Sequence, residues 1–248
     1  MEYWPSLDRE LRQAMKQGEV DFIAGYPTLS DNYQNDVDFI FDLALTYGLP
    51  VDLHVDESDE PNIDCFLYVL EKTIKTHMEG RVTCGHVTAL NAVEDSLAKE
   101  AIAMAKEADV NITTLPSCNM FLMGRQDKQP VRRGVTRIRE FLDARVSISY
   151  ASDNIRDPFR PFGNADMLEE ALFCAQVIQY GTSDQLSKVL SMGTFHPAKN
   201  ALLSDYGLEE GCQADLVLLD APTPKEAIIS QAAKLCYIKK GKIIFRQC

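Results

Sequence analysis

Short β-branched and apolar runs recur along the chain at Val20–Ala24, Pro50–Val55, Arg81–Val87, Asp109–Leu115 and Arg145–Tyr150, each entered from a turn. Between them lie stretches with helical spacing. Val37, Ile40, Phe41 and Ala44 share one face of a helix that Gly48 and Pro50 stop; Leu67, Leu70 and Ile74 repeat the pattern after the second run, and Val93, Leu97 and Ala101 after the third. Strand alternating with helix predicts parallel strands joined by crossovers. The runs begin at 20, 50, 81, 109 and 145, a spacing close to one βα unit, and no repeated motif accompanies it. Met167, Leu168, Ala171, Leu172, Ala175 and Ile178 mark a further long helix, followed by shorter ones at Asp184–Ser191 and Pro197–Leu203. From Gly207 the texture becomes β: Ala214–Leu219 reads as a strand, and Cys236–Ile238 with Lys242–Phe245 as a hairpin turning at Lys240-Gly241. These readings predict an α/β domain over residues 1–206 and a small β domain over 207–248.

Composition narrows the classes of function. The 248 residues carry 25 Lys+Arg against 37 Asp+Glu, a net charge of −12, which repels a nucleic-acid backbone or an anionic membrane. Seven scattered cysteines with no Cys-x-x-Cys, and no apolar run of about 18 residues, predict neither disulfides nor a membrane span, so the expected setting is cytoplasmic.

Five βα units fit a doubly wound sheet or part of an eight-stranded barrel. Gly25-Tyr26-Pro27 after the first run is no Gly-rich nucleotide turn, and polar residues close several strands instead. The second run ends Leu53-His54-Val55-Asp56-Glu57, the third Cys84-Gly85-His86, and the fifth Tyr150-Ala151-Ser152-Asp153-Asn154. Taken singly, a histidine at a strand end is more often a hydrogen-bonded structural residue, and Asp153 could cap the turn that follows. Several such residues on successive units predict a rim site for a divalent metal, either zinc or iron. His77 reads as solvated surface, and His196 as a helix-start residue with a structural hydrogen bond.

The ordered blocks Leu53–Glu57, Gly85–Ala89, Asn119–Arg125, Arg132–Thr136 and Ser152–Phe159 resemble cytosine deaminase-like members of the amidohydrolase superfamily. The resemblance covers nearly the whole chain. It implies a metal-dependent (β/α)8 TIM-type barrel with an accessory β-sandwich, here about strands four to eight and the sandwich's C-terminal strands. It implies His54 as a metal ligand and Asp153 as a ligand that accepts a proton from the attacking water. Glu57 becomes the proton shuttle to the ring nitrogen. His86 becomes the residue that bonds water or substrate, or a further ligand. The loop Ser117–Gly134 is expected over the ring.

Two departures qualify the resemblance. Asn154 stands where an acidic residue is expected beside the substrate, so isocytosine, a triazine or another N-heterocycle is an alternative to cytosine. The first-strand His-x-His is absent. With five of eight units present, roughly 90 residues are expected to be missing before a helix at Met1–Gly18. Weak metal binding and little activity of the chain alone are expected in consequence. A non-catalytic remnant, a homo-oligomer, or a subunit completed by an N-terminal fragment are the readings that compete. An open α/β binder without metal is another, and it leaves the rim residues unexplained.

Overall fold

The computed structural model describes residues 5–247, with side chains from residue 9 onward; Met1–Trp4, the Leu7 side chain of the expected first helix, and Cys248 lie outside the described residues. In chain order the elements are α1 (Pro5–Gln17), β1 (Ile23–Gly25), α2 (Tyr33–Tyr47), β2 (Val51–Val55), α3 (Asp64–Thr76), β3 (Val82–His86), α4 (Asp95–Glu107), β4 (Asn111–Thr114), α5 (Pro116–Leu122), α6 (Ile138–Asp143), β5 (Ser147–Tyr150), α7 (Met167–Val177), α8 (Ser183–Met192), α9 (Phe195–Asn200), β6 (Leu216–Leu219), α10 (Pro224–Ile229), β7 (Lys234–Lys239) and β8 (Lys242–Arg246). The first five strands make one sheet in chain order, with β1–β2, β2–β3 and β3–β4 parallel. The last three make a separate antiparallel sheet in the order β6-β7-β8. The βα alternation is therefore as the sequence predicts. Two compact units divide the chain: residues 1–113 with 140–147, and residues 114–139 with 148–248. Residue 206 falls inside the second.

In the first unit, β2 buries Val51, Leu53 and Val55 and exposes Asp52 and His54, so a strict two-residue alternation separates core from chemistry. Helix α2 starts where the Asn32 side chain accepts from the Asn35 amide at 3.1 Å, and it stops at Gly48, whose φ of 69° suits glycine. Its buried face is Val37, Ile40, Phe41 and Ala44, as expected, joined by Leu43. Helix α3 is rotated from expectation: Cys65, Phe66, Val69, Leu70 and Thr73 are buried, while Leu67 and Ile74 are half-exposed. Phe66 meets Phe141 edge-on at 6.5 Å between centroids. An aromatic pair outweighs a second aliphatic stripe in setting which face turns inward. His77 caps α3 in the left-handed region (φ 55°) and is exposed.

In the second unit, Asp166 caps α7 by accepting from the Leu168 amide at 3.0 Å, and a capping box of Thr182 and Gln185 opens α8. Lys240 and Gly241, at φ 50° and 74°, form the tight turn between β7 and β8. Helices α5, within the expected rim loop, α6 and α10 were not anticipated. His196 Nδ1 bonds the Ile148 carbonyl at 2.7 Å, the structural role expected of it. Gly193 is held to glycine by packing: an added Cβ would lie 2.1 Å from the Tyr150 hydroxyl and 2.4 Å from its Cζ, and Tyr150 is buried. Gly193→Ala is expected to lose about 1–3 kcal/mol or more in urea unfolding. Gly181→Ala, with nothing within 4 Å of its Cβ, serves as the near-neutral control.

Candidate metal and proton-transfer site

Parallel register brings the ends of β2 and β3 side by side, with His54 opposite Gly85 and Val55 opposite His86. Beyond these residues the chain turns abruptly. Asp56, His86 and Val87 have φ of 46°, 67° and 50°, in the left-handed region, which aspartate and histidine tolerate better than most residues and a β-branched valine avoids. The turns are pinned: the Val87 amide bonds the Val55 carbonyl at 2.9 Å, and the Ala89 amide bonds the Asp56 carbonyl at 3.1 Å. The Asp56 amide in turn donates to Thr28 Oγ1 at 2.8 Å. Asp56 itself is buried, and its Oδ2 accepts from the Phe66 amide at 2.8 Å near the start of α3. Burial pushes its carboxyl up to about 6, against the opposing pull of the Phe66 amide. Its part is to fix the segment that carries Glu57.

On this frame four side chains form a continuous array. Tyr26, just after β1, donates its hydroxyl to Glu57 Oε2 at 2.6 Å. Glu57 Oε1 lies 3.2 Å from His86 Nδ1, and His86 Nε2 lies 2.9 Å from His54 Nδ1. The Tyr26 ring also packs against the His54 ring at 5.2 Å. His86 is fully buried, the Glu57 side chain is 12% exposed, and His54 is open to solvent. Burial pushes the Glu57 carboxyl up, yet hydrogen bonds from His86 and Tyr26 outweigh it, and the group is held below the usual carboxylate range. Glu57 is thus a carboxylate wired to an imidazole, and proton transfer between partners at these distances needs no large motion.

The same residues offer a metal-binding set. One ligand atom each from His54, Glu57 and His86 lies within 4.8 Å of the others. Two imidazoles and a carboxylate are the donors that zinc-class cations take, so the set fits a divalent metal. Sequence reasoning named His54, Glu57 and His86, and the structure brings them together. It missed Tyr26, whose place one residue past a short strand looks like an ordinary turn.

Asp153 and Asn154 belong to the second unit, in the segment after β5. Asp153 has φ 59°. The Asn154 side chain donates to Asp157 Oδ2 and accepts from the Cys118 thiol at 3.6 Å. Asn154 is therefore held by Asp157 of its own loop and by Cys118 of α5.

Comparison with known proteins adds to this geometry. A model of the amidohydrolase family matches residues 7–245. The chain is 31% identical over 239 residues to N-isopropylammelide isopropyl amidohydrolase of Pseudomonas sp. (strain ADP), covering 95% of this chain and 56% of that protein. It is 30% identical over 229 residues to pterin deaminase of Rhizobium rhizogenes (strain K84 / ATCC BAA-868), covering 90% and 51%. A solved structure of 5-methylcytosine deaminase from Klebsiella pneumoniae, liganded with 5-fluorocytosine, superposes with a TM-score of 0.92 at 31% identity, over 99% of this chain and 60% of that one. The chain thus spans between about half and three-fifths of these relatives' length.

Proposed function

Because the chain belongs to the amidohydrolase family, we propose that it hydrolytically removes an amine from a pyrimidine-like N-heterocycle with the help of one divalent metal ion. The observation that carries this reading is the array in which Glu57 stands 3.2 Å from His86 and His86 2.9 Å from His54. His54 and His86 would hold the metal, with Asp153 a further proposed ligand. The metal, zinc or iron, would make water available as hydroxide near neutral pH.

The chain's own residues account for the proton movements. Water adds to the ring carbon that bears the amino group. Glu57 carries one of that water's two protons to the adjacent ring nitrogen, and Asp153 accepts the other. That second proton passes to the amine as the C–N bond breaks, with Glu57 assisting its departure, so the heterocycle leaves as its oxo form together with ammonia or an alkylamine. Tyr26 holds Glu57 Oε2, which leaves Oε1 to face His86. His54 and the neighbouring face of β2 are open to water, which weakens the electrostatics of such a site. Weak metal binding and slow turnover by the chain alone are therefore part of the reading. The six described cysteines are all free thiols. Among the described residues no helix is long and apolar enough to cross a membrane.

A second reading has its own support: the substrate is isocytosine, a triazine or a related ring. Asn154 is committed to Asp157 and Cys118, and the relatives act, by their names, on ammelide and pterin rings. The test is amine release from cytosine, isocytosine, N-isopropylammelide and a pterin by the zinc-loaded chain, with and without a chelator. Chelator-sensitive release from at least one ring is expected, and Asn154→Asp is expected to change the ranking among them. No release from any ring by a chain that does bind zinc overturns the proposal in favour of a non-catalytic or complemented subunit. An unchanged ranking in the variant removes Asn154 from the substrate site.

A further inference from the structure

Arg160 is the largest fully buried side chain among the described residues, 2% exposed, although it lies in a loop of exposed charged and aromatic residues. A buried guanidinium is costly unless its donors are used. Here Nη2 meets Glu170 Oε1 at 3.2 Å, and Glu170 is itself buried and accepts from Ser117 Oγ at 2.6 Å. The other arm, Nη1, donates to the carbonyl of Asn154 at 2.9 Å and reaches the carbonyl of Ser152 at 3.3 Å. These carbonyls flank Asp153, whose backbone is left-handed.

The rest of the loop closes on the same group. Asp157 Oδ1 accepts from the Phe159 and Arg160 amides at 3.0 and 2.9 Å. Gly163 lies so close that an added Cβ would stand 2.9 Å from Nη1. A lysine ammonium, with one point of charge, cannot span two carbonyls and a carboxylate from this position.

We propose that Arg160 is a positioning residue for Asp153: its guanidinium fixes the peptide on both sides of that aspartate in the conformation that presents it for metal binding and proton acceptance. The inference rests on the proposed role of Asp153, so the experiment separates the two. Zinc affinity of the full chain is measured by competition titration for wild type, Asp153→Asn, Arg160→Lys and the double variant, with amide hydrogen exchange followed over residues 152–156. Asp153→Asn and Arg160→Lys are each expected to weaken zinc by about tenfold or more. The double variant is expected to be no worse than Asp153→Asn alone, because Arg160 acts only through Asp153. Exchange over 152–156 should quicken in Arg160→Lys.

An Asp153→Asn chain that binds zinc like wild type overturns the role of Asp153, and this inference with it. If Asp153→Asn weakens zinc while Arg160→Lys does not, or if the two losses multiply, Arg160 is not a positioning residue. Should Arg160→Lys fail to fold, Glu170→Gln takes its place in the same cycle with the same expected outcomes.

Discussion

Glu57→Gln is expected to lower turnover by about 10²–10⁴-fold, the usual contribution of a positioned proton-transfer group, while leaving the fold intact. Glutamine has the same shape, and its amide oxygen can still accept the Tyr26 hydroxyl that now bonds Oε2 at 2.6 Å. What it lacks is a site that accepts a proton on one stroke and returns it on the next. The check is steady-state amine release on the best ring of the panel, with unfolding curves for both proteins. A loss in kcat with little change in KM fits a shuttle. A variant within threefold of wild type would remove Glu57 from the chemistry and leave it a structural partner of His86.

The second large effect concerns the metal. His86→Ala removes one of three donors grouped within 4.8 Å, and it does so at a fully buried position. Zinc affinity is expected to fall by more than the roughly 10- to 100-fold that loss of an outer hydrogen-bonding partner causes. Thermal stability in the presence of zinc should fall with it, since a metal bound only to the native state stabilises by mass action. Isothermal titration of both proteins at one pH decides the matter. Equal affinities would make the paired histidines a hydrogen-bonded structural pair, and a wild-type chain that takes up no zinc would overturn the metal reading itself.

What could be read from the sequence, and what could not, follows physical lines. The five sheet strands were legible because β-branched runs bounded by turns carry a local signal, and Pro50–Val55 became β2 at Val51–Val55. His54, Glu57 and His86 were legible because two of the four histidines stand at strand ends. The buried face of α3 was misread because Thr73 looks polar. Its hydroxyl is satisfied by the Val69 carbonyl at 2.7 Å, so it can be buried where Ile74 was expected. Tyr26 and Arg160 were missed for a shared reason: their partners lie 31 and 10 residues away, and no local pattern announces the pairing. Arg160 in particular sits in a charged, aromatic loop that reads as solvated surface.

The left-handed backbone at Asp56, His86, Val87 and Asp153 bears on how this protein could change over time. Non-glycine residues in that region carry strain of order 1–3 kcal/mol each, against a total stability of about 5–15 kcal/mol for a typical domain. The rim thus draws on a sizeable share of the free energy that keeps the chain folded. Selection for thermal robustness alone would favour glycine first at Val87, the one β-branched residue of the four, where the left-handed backbone costs most. Lineages under such selection would relax the turn that follows His86 first, whereas those that keep Val87 would have to gain stability elsewhere in the fold.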